Sequence, residues 1–156
     1  MAENKMLEPK ILVRLKKEGY KLTKQRQQIL DVMLQSKTRL TAQEIYKQLQ
    51  RRELSVSLDT VYRNLKLLSA IGIVQQISLQ SGALYELMQE EHHHHLVCVD
   101  CEKIVCISAC PVMPSYLKDA DAAGFDILGH NLELYGRCND CRSKRQLRKA
   151  EKCVKD

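Results

Sequence analysis

Hydrophobic residues in the first half of the chain recur every three or four positions, which predicts three helices. Residues that cap helices mark the starts, at Thr23, Thr41 and Ser57, and Gly72 marks the end of the third helix. The start at Thr41 has the sequence Thr-Ala-Gln-Glu, which is typical of a capping box. The repeating apolar residues are Leu22, Ile29, Leu30, Met33 and Leu34 in the first helix, Ile45 and Leu49 in the second, and Val61, Leu65 and Leu68 in the third.

The pattern changes from helical to alternating after Gly72. Ile77 and Leu79 alternate with polar neighbours, Ser81-Gly82 supplies a turn, and residues 84–87 return as a second strand. Three helices followed by a hairpin form a winged helix-turn-helix, in which the last helix can enter the DNA major groove. A small helical domain that binds a protein, or only packs, is the alternative that the pattern leaves open.

The second half has shorter patterned segments, which predict a small α/β unit. Extended segments are expected at 92–98, 103–107, 125–128 and 131–135, with a helix over 111–123. Since the edge of such a sheet can pair with a second copy of the chain, we expect a homodimer. The predicted class is therefore α+β, with a winged-helix DNA-binding domain at 1–87 and a metal-binding dimerisation domain at 88–156.

The balance of charged residues changes at nearly the same position as the predicted domain boundary. Residues 1–83 carry 15 Lys and Arg against 7 Asp and Glu, whereas the remainder carries 10 against 12. The basic excess favours a nucleic-acid partner for the first half, and a merely solvated surface is the alternative. No apolar run approaches the ~18 residues of a membrane span, and the start has no signal-peptide pattern. We expect a cytoplasmic protein with reduced thiols and no membrane partner.

The third predicted helix identifies candidate contacts with a double-stranded DNA operator. The residues near its amino end, which can reach phosphates and base edges, are Tyr62, Arg63 and Asn64. Among them, Arg63 is suited to a bidentate contact with guanine. The residues around the first helix that are better placed for phosphates, which supply affinity rather than specificity, are Lys21, Lys24 and Arg26.

Every cysteine and histidine lies after residue 91. Two Cys-x2-Cys pairs, Cys98 with Cys101 and Cys138 with Cys141, have the spacing of a four-thiolate structural zinc site, because each pair offers two sulfurs from one tight turn. A pair of disulfides, or unrelated buried thiols, is the alternative, and a reducing compartment disfavours the disulfides. We expect one structural Zn²⁺ on these four cysteines.

Four consecutive histidines, residues 92–95, precede the first cysteine pair. In an extended segment alternate side chains point to opposite sides, so His93 and His95 share one face, and His92 and His94 share the other. Imidazole binds zinc, iron, nickel or copper, so the run predicts a transition metal without identifying it. A solvated polar run is the alternative, and an affinity tag is disfavoured because the run is internal.

Several motifs, in their order along the chain, resemble the ferric uptake regulator superfamily. They are Ser-Leu-Asp-Thr-Val-Tyr-Arg-Asn-Leu at 57–65, Tyr85-Glu86 at the end of the wing, the block at 92–101, and Leu134-Tyr-Gly-Arg-Cys138. The resemblance covers nearly the whole chain and implies a homodimeric metal sensor. In such a sensor, bound metal closes a hinge and allows two winged-helix domains to bind one palindromic operator. The resemblance also implies structural zinc on the four cysteines and DNA contact by Tyr62 and Arg63.

The resemblance further implies exchangeable metal near the hinge. The regulatory group that we expect is Glu86, His93, His95 and Cys106, and a possible second group is His92, His94, Cys110 and His130. Arg39 stands where iron-sensing members have a histidine, and Cys106 stands where they have a carboxylate. Replacing a hard oxygen by a thiolate moves the preference toward zinc. As an alternative, Cys106 and Cys110 are small buried hydrophobic residues.

Within the superfamily the chain resembles the zinc uptake regulator branch most, through the four histidines, Ala109-Cys-Pro111 and Gly129-His130. Leu87 departs from that branch, since many of its members have a cysteine there. We therefore expect a repressor of zinc-uptake genes with Zn²⁺ as its regulatory metal. An iron- or peroxide-responsive regulator, with Fe²⁺ or Mn²⁺ in that role, is the alternative.

Two rivals come from other classes of protein. A zinc-dependent hydrolase would hold catalytic zinc on His93 and His95, but the chain has no HExxH or similar motif. We therefore expect no catalytic residues and no small-molecule substrate. A zinc ribbon that only mediates protein assembly would explain the cysteine pairs, but it would not explain the basic first half.

Overall fold

The computed structural model describes residues 9–36, 38–88, 93–110, 112, 114–127 and 130–153, with side chains up to residue 146. The chain divides into two compact units, Met1–Gln89 and Glu90–Asp156. The first unit is a helical bundle with a hairpin, and the second is a three-stranded sheet with two helices. This architecture is the predicted α+β class.

The first unit has the order of a winged helix-turn-helix. Its helices are α1 (Pro9–Lys17), α2 (Lys24–Gln35), α3 (Ala42–Arg51) and α4 (Leu58–Ala70), and its strands are β1 (Val74–Leu79) and β2 (Gly82–Leu87). The two strands pair antiparallel, and Leu40 adds a short bridge to Tyr85 of β2. The hairpin therefore forms the wing, and the segment between α2 and α3 is bonded to it.

Three predicted caps begin α2, α3 and α4. Thr23 accepts the Arg26 N–H, and Ser57 accepts the Thr60 N–H. At Thr41 both bonds of the capping box are present, since Thr41 accepts the Glu44 N–H and the Glu44 carboxylate accepts the Thr41 N–H. These bonds satisfy backbone donors that have no partner inside a helix, which explains why the helices start there.

The helix α1 lies outside the sequence prediction, although the sequence carries a signal for it. Pro9 occupies its first position, and Gly19 follows its end at a φ of 75°. This is the usual placement of proline and glycine at helix ends. Ile11 and Leu15 of α1 are buried in the core, and Arg14 Nε donates to the Ile71 carbonyl at 2.9 Å. The helix is therefore an integral part of the unit.

One hydrophobic core holds the first unit together. It joins all four helices to the wing, because each helix presents one apolar stripe and Val74 and Tyr85 contribute from the strands. The core includes most of the apolar residues of the predicted stripes, namely Ile29, Leu30, Met33, Ile45, Leu49, Val61, Leu65 and Leu68. The face of α4 opposite this core is left for solvent or a ligand.

The second unit is built on β3 (His94–Cys98), which lies between its two neighbours. The remaining elements are β4 (Ile104–Ile107), α5 (Pro114–Ala122), β5 (Glu133–Gly136) and α6 (Asn139–Cys153). β4 pairs antiparallel and β5 parallel with β3. Large apolar side chains of this unit are exposed, among them Leu96, Val105, Tyr116, Phe125 and Leu134. An exposed apolar surface of this kind suits association with a second copy.

The structure differs from one prediction in this unit. Residues 125–127, expected to begin a strand, are not in one, and Leu128 lies outside the described residues. The Phe125 N–H donates to the Ala120 carbonyl at 2.8 Å, and the Gly124 N–H donates to Asp121 at 2.9 Å. These two bonds close the end of α5 as a Schellman motif, so the Phe125 backbone is used by the helix instead of a sheet.

Among the described residues, every helix is too short or too polar to span a lipid bilayer.

Candidate metal centres and DNA-binding surface

Four cysteine sulfurs converge in the second unit. The Sγ atoms of Cys98, Cys101, Cys138 and Cys141 all lie within 4.8 Å of one another. Cys101 Sγ and Cys138 Sγ are 3.7 Å apart. A tetrahedron with Zn–S bonds of about 2.3 Å has edges of about 3.8 Å, whereas a disulfide needs about 2.05 Å. The cluster therefore has the dimensions of a zinc site, and its cysteines are thiols.

Two tight turns carry these sulfurs. Cys98 is the last residue of β3, and the turn after it closes through a bond from the Glu102 N–H to the Cys98 carbonyl at 2.8 Å. Cys138 precedes α6 and Cys141 lies in its first turn. The bond from Arg137 Nε to Asp100 Oδ2, at 3.0 Å, joins the two turns. The geometry of the cluster is thus set by backbone that the sheet and α6 hold in place.

The protonation chemistry of the cluster fits a cation. The backbone N–H of Cys138 donates to Cys98 Sγ at 3.3 Å, and this bond and one from the Asp100 N–H lower the pKa of Cys98 to about 6. Hydrogen bonding with Cys101 raises the pKa of Cys141 to about 12. Four thiols this close cannot all lose their protons unless a positive ion lies among them. Zn²⁺ would supply that charge and hold all four as thiolates.

A second group of ligand atoms lies on one face of β3. His93, His95 and Cys106 have ligand atoms within 4.8 Å of one another, and the His93 and His95 rings are 5.0 Å apart. Alternation along the extended strand places the two histidines on the same face. Cys106 is paired directly with His95 across the antiparallel strands β3 and β4. Three members of the predicted regulatory group are therefore together.

Glu86, the fourth member of that prediction, lies in the first unit. Its carboxylate forms an ion pair with Arg39 within that unit, with Arg39 Nε 2.7 Å from Glu86 Oε2. Both side chains are largely buried, with 26% of Arg39 and 11% of Glu86 exposed. A positive charge therefore already neutralises the Glu86 carboxylate.

A third group lies on the other face of β3. His94, Cys110 and His130 have ligand atoms within 4.8 Å of one another, and Cys110 Sγ lies 3.3 Å from His130 Nε2. His92, the other member predicted for this group, lies outside the described residues. Cys106 and Cys110 are both exposed, so the alternative that they are buried hydrophobic residues does not hold.

The amino-terminal half of α4 presents the predicted recognition residues. Tyr62 and Arg63 are exposed, and Arg63 forms an exposed pair with Asp59 at 2.8 Å. Gln43 of α3 donates to the Tyr62 hydroxyl at 2.8 Å. Sequence reasoning missed Gln43, because only the packing of α3 on α4 shows that it orients Tyr62. Lys21 and Lys24 are exposed near the start of α2.

Two predicted DNA contacts are instead part of an internal network. Arg26 is only 8% exposed, and its guanidinium bonds the Lys21 carbonyl and, at 3.2 Å, the Asn64 side chain. Asn64 also donates to the Thr60 carbonyl at 2.8 Å. These bonds connect α2 to α4, with Arg26 buried and Asn64 half-buried, and contact of these two residues with DNA stays a prediction.

Comparisons with known proteins agree with this architecture. The ferric uptake regulator family matches residues 17–135. The chain is 36% identical over 134 residues to the ferric uptake regulation protein of Campylobacter jejuni, covering 84% of this chain and 85% of that protein. The solved structure of the Pseudomonas aeruginosa ferric uptake regulator with manganese is similar, with a TM-score of 0.61, 29% identity, and coverage of 86% and 99%. The Helicobacter pylori ferric uptake regulator, described with three functional metal-binding sites, has a TM-score of 0.59, 27% identity, and coverage of 91% and 97%.

Proposed function

Because the chain belongs to the ferric uptake regulator family, we propose that it is a zinc-responsive repressor of zinc-uptake genes. Family membership makes it a metal-responsive, DNA-binding transcriptional regulator that binds operator DNA as a dimer, and it excludes the hydrolase alternative. The proposal concerns the identity of the sensed metal, the genes, and the residues that carry each role. A regulator of this kind acts on DNA where thiols are reduced, so we place it in the cytoplasm.

The observation that carries the zinc proposal is the donor chemistry of the two histidine groups. Each group combines imidazole nitrogens with one exposed thiol, Cys106 in the first and Cys110 in the second. Imidazole suits iron as well as zinc, and manganese prefers oxygen ligands, so the thiol is the ligand that favours zinc. Thiolate chemistry therefore favours zinc at both groups.

An iron-responsive regulator is the second candidate. The observation that favours it is the set of named relatives, since those of Campylobacter jejuni and Escherichia coli are both called ferric uptake regulation protein, at 36% identity. In this second candidate, Fe²⁺ or Mn²⁺ would be the regulatory metal on the same two groups.

We assign separate roles to the two units. The first unit binds DNA through Tyr62 and Arg63, with Lys21 and Lys24 as phosphate contacts. The second unit dimerises, holds structural zinc on the four cysteines, and senses metal through the two histidine groups. Metal shifts the population toward the DNA-competent dimer because it binds that form more tightly. A nearly complete switch requires a preference on the order of 10⁴-fold, or about 5.5 kcal/mol.

The test is DNA binding by the purified dimer with its structural zinc in place. A duplex selected from random DNA would be titrated in buffers that hold free Zn²⁺, Fe²⁺ or Mn²⁺ at set concentrations. Zinc should activate binding at a free concentration at least tenfold below the other two metals. Activation chiefly by iron or manganese would overturn the zinc proposal and support the second candidate.

A further inference from the structure

The His93, His95 and Cys106 group offers three ligands, whereas a closed tetrahedral zinc site has four. Resting on the zinc-sensing function above, we propose that Glu133 of β5 is the fourth ligand of this site and that Glu86 is not a ligand. The site is then formed within the second unit, from three neighbouring strands of one sheet.

Strand register places Glu133 beside His95. In the parallel pairing of β3 with β5, His95 and Glu133 are direct partners. On the other side of β3, His95 is the direct partner of Cys106. Direct partners on neighbouring strands carry their side chains on the same face, and adjacent strands are about 4.8 Å apart. Cys106, His95 and Glu133 therefore form one row across the sheet, with His93 two residues from His95 on the same face.

The Glu133 carboxylate is not within 4.8 Å of the three ligand atoms in the structure, so the proposal requires its side chain to turn toward them. In the structure it accepts a hydrogen bond from the hydroxyl of Tyr135, two residues along the same strand. A carboxylate has two oxygens, so one can bind zinc while the other accepts from Tyr135. Hydrogen bonds of this kind commonly orient the carboxylates that bind metals. Tyr135 is therefore a positioning residue for Glu133.

Glu86, by contrast, is held by Arg39. The Leu40 N–H donates to the Tyr85 carbonyl at 3.0 Å, and the Tyr85 N–H donates to the Leu40 carbonyl at 2.8 Å. These two bonds fix the backbone next to Arg39 and Glu86. The guanidinium forms an ion pair with the carboxylate, with Arg39 Nε 2.7 Å from Glu86 Oε2. A divalent ion at Glu86 would have to displace a charged partner and remain close to its positive charge. Arg39 therefore opposes metal binding at this position of the winged-helix unit.

Charge balance also supports the ligand set. Zn²⁺ with one thiolate, one carboxylate and two neutral imidazoles has no net charge. A neutral site is compatible with His95, whose side chain is fully buried. The pair of Arg39 and Glu86 is neutral as well, so the proposed site does not need the Glu86 charge.

Two matched substitutions test the proposal in the full-length dimer with structural zinc retained. Glu133→Gln and Glu86→Gln each remove one negative charge and keep the shape of the side chain. Zinc affinity would be measured by competition with a chromophoric chelator. We expect Glu133→Gln to weaken binding at this site at least tenfold, and Glu86→Gln to leave it within threefold. Tyr135→Phe should weaken it less than Glu133→Gln.

Cobalt substitution provides a second readout. Co²⁺ bound to a thiolate gives an intense near-ultraviolet charge-transfer band, which Cys106→Ser should remove from this site. If Glu133→Gln keeps this band but changes the visible ligand-field spectrum, the variant is folded and has lost an oxygen ligand, as proposed. An unchanged visible spectrum with unchanged zinc affinity would overturn the assignment of Glu133.

The remaining outcomes separate this proposal from the proposed function. A tenfold loss in Glu86→Gln, with none in Glu133→Gln, would overturn the present proposal and leave zinc sensing intact. If His95→Ala and Cys106→Ser also fail to change zinc affinity, the group binds no regulatory zinc, and both proposals are overturned.

Discussion

A guanidinium in an ion pair with a carboxylate supplies the positive charge that a metal ion would otherwise bring, and Arg39 does this for Glu86. At the residue scale, therefore, whether a side chain can bind a metal ion depends on its neighbours as well as on its own chemistry. The same holds for Arg26, a basic residue expected at DNA phosphates, which the Lys21 carbonyl and Asn64 hold inside the first unit. Tyr62 and Arg63 keep the exposure that their proposed role requires.

Arg63 provides a prediction at this scale. Its exposed pair with Asp59 contributes little to stability, so the guanidinium can exchange Asp59 for DNA. Arg63→Ala should cost roughly 1–3 kcal/mol of operator binding and reduce discrimination against random DNA. Fluorescence anisotropy with the selected duplex and a scrambled duplex measures both effects.

The control for this experiment is Asp59→Asn, which removes the internal partner of Arg63. It should bind the operator at least as tightly as the unaltered protein. Normal operator discrimination by Arg63→Ala would contradict the assignment of α4 as the recognition helix.

Asp31 of α2 provides a second prediction at this scale. Burial raises the pKa of Asp31, and nearby Arg52 partly offsets the rise. Because the pKa is higher in the folded state, the folded state binds more protons, and Asp31 disfavours folding increasingly as pH rises through that pKa. Asp31→Asn should therefore raise the free energy of unfolding at pH 7 by roughly 0.5 kcal/mol. Urea unfolding at pH 7 and pH 3 measures this, and an equal gain at both values would exclude titration as the cause.

At the scale of elements, short-range hydrogen bonds decide where helices begin and end. The caps at Thr23, Thr41 and Ser57 were predictable because each bonds a residue three positions away. The end of α5 at Ala122 agrees with the helix expected over 111–123, but the alternating residues after Gly124 indicated a strand that residues 125–127 do not form. Two bonds back into α5 outweighed that weak alternation. Local pattern is therefore more reliable for helix starts than for short strands.

The end of α3 gives a prediction for this scale. Glu53 follows the helix at a φ of 56°, while the Leu54 N–H bonds the Leu49 carbonyl at 3.1 Å. This left-handed position favours glycine, because a Cβ is unfavourable there. Glu53→Gly should therefore raise the free energy of unfolding by roughly 0.5–1 kcal/mol, measured by urea unfolding. Glu53→Ala keeps the Cβ and serves as the control. An equal effect of the two substitutions would show that backbone strain is not involved.

At the scale of the whole molecule, the two units differ in what stabilises them. The first has an extensive apolar core supplied by four helices and the wing. Among the described residues of the second, the buried side chains are His94, His95, Val97 and Cys98, two of which belong to histidine groups and one to the cysteine cluster. The second unit therefore depends on metal and on a partner subunit more than the first does.

Removal of structural zinc tests this difference. Its binding free energy is largely folding free energy, so a strong chelator should unfold the second unit and leave the helices of the first intact. Hydrogen exchange read by mass spectrometry should show lost protection at β3, β4 and β5, and retained protection at α2 to α4. Cys138→Ser should reproduce this pattern without chelator. Retained protection of β3 in both cases would mean that the sheet is stable without zinc.

The sequence alone determined the features that depend on residues close together in the chain. The helix caps, the apolar stripes, the wing and the two Cys-x2-Cys turns all involve partners within a few positions, so spacing was enough to predict them. The alternation of the histidine run likewise predicted which histidines share a face. Only the tertiary structure decided the partners that lie far apart. Arg39 meets Glu86, Asn64 meets Arg26, and Glu133 lies beside His95 because strand register and helix packing bring them together. Such pairings are set by the packing of whole elements, and no local pattern encodes them.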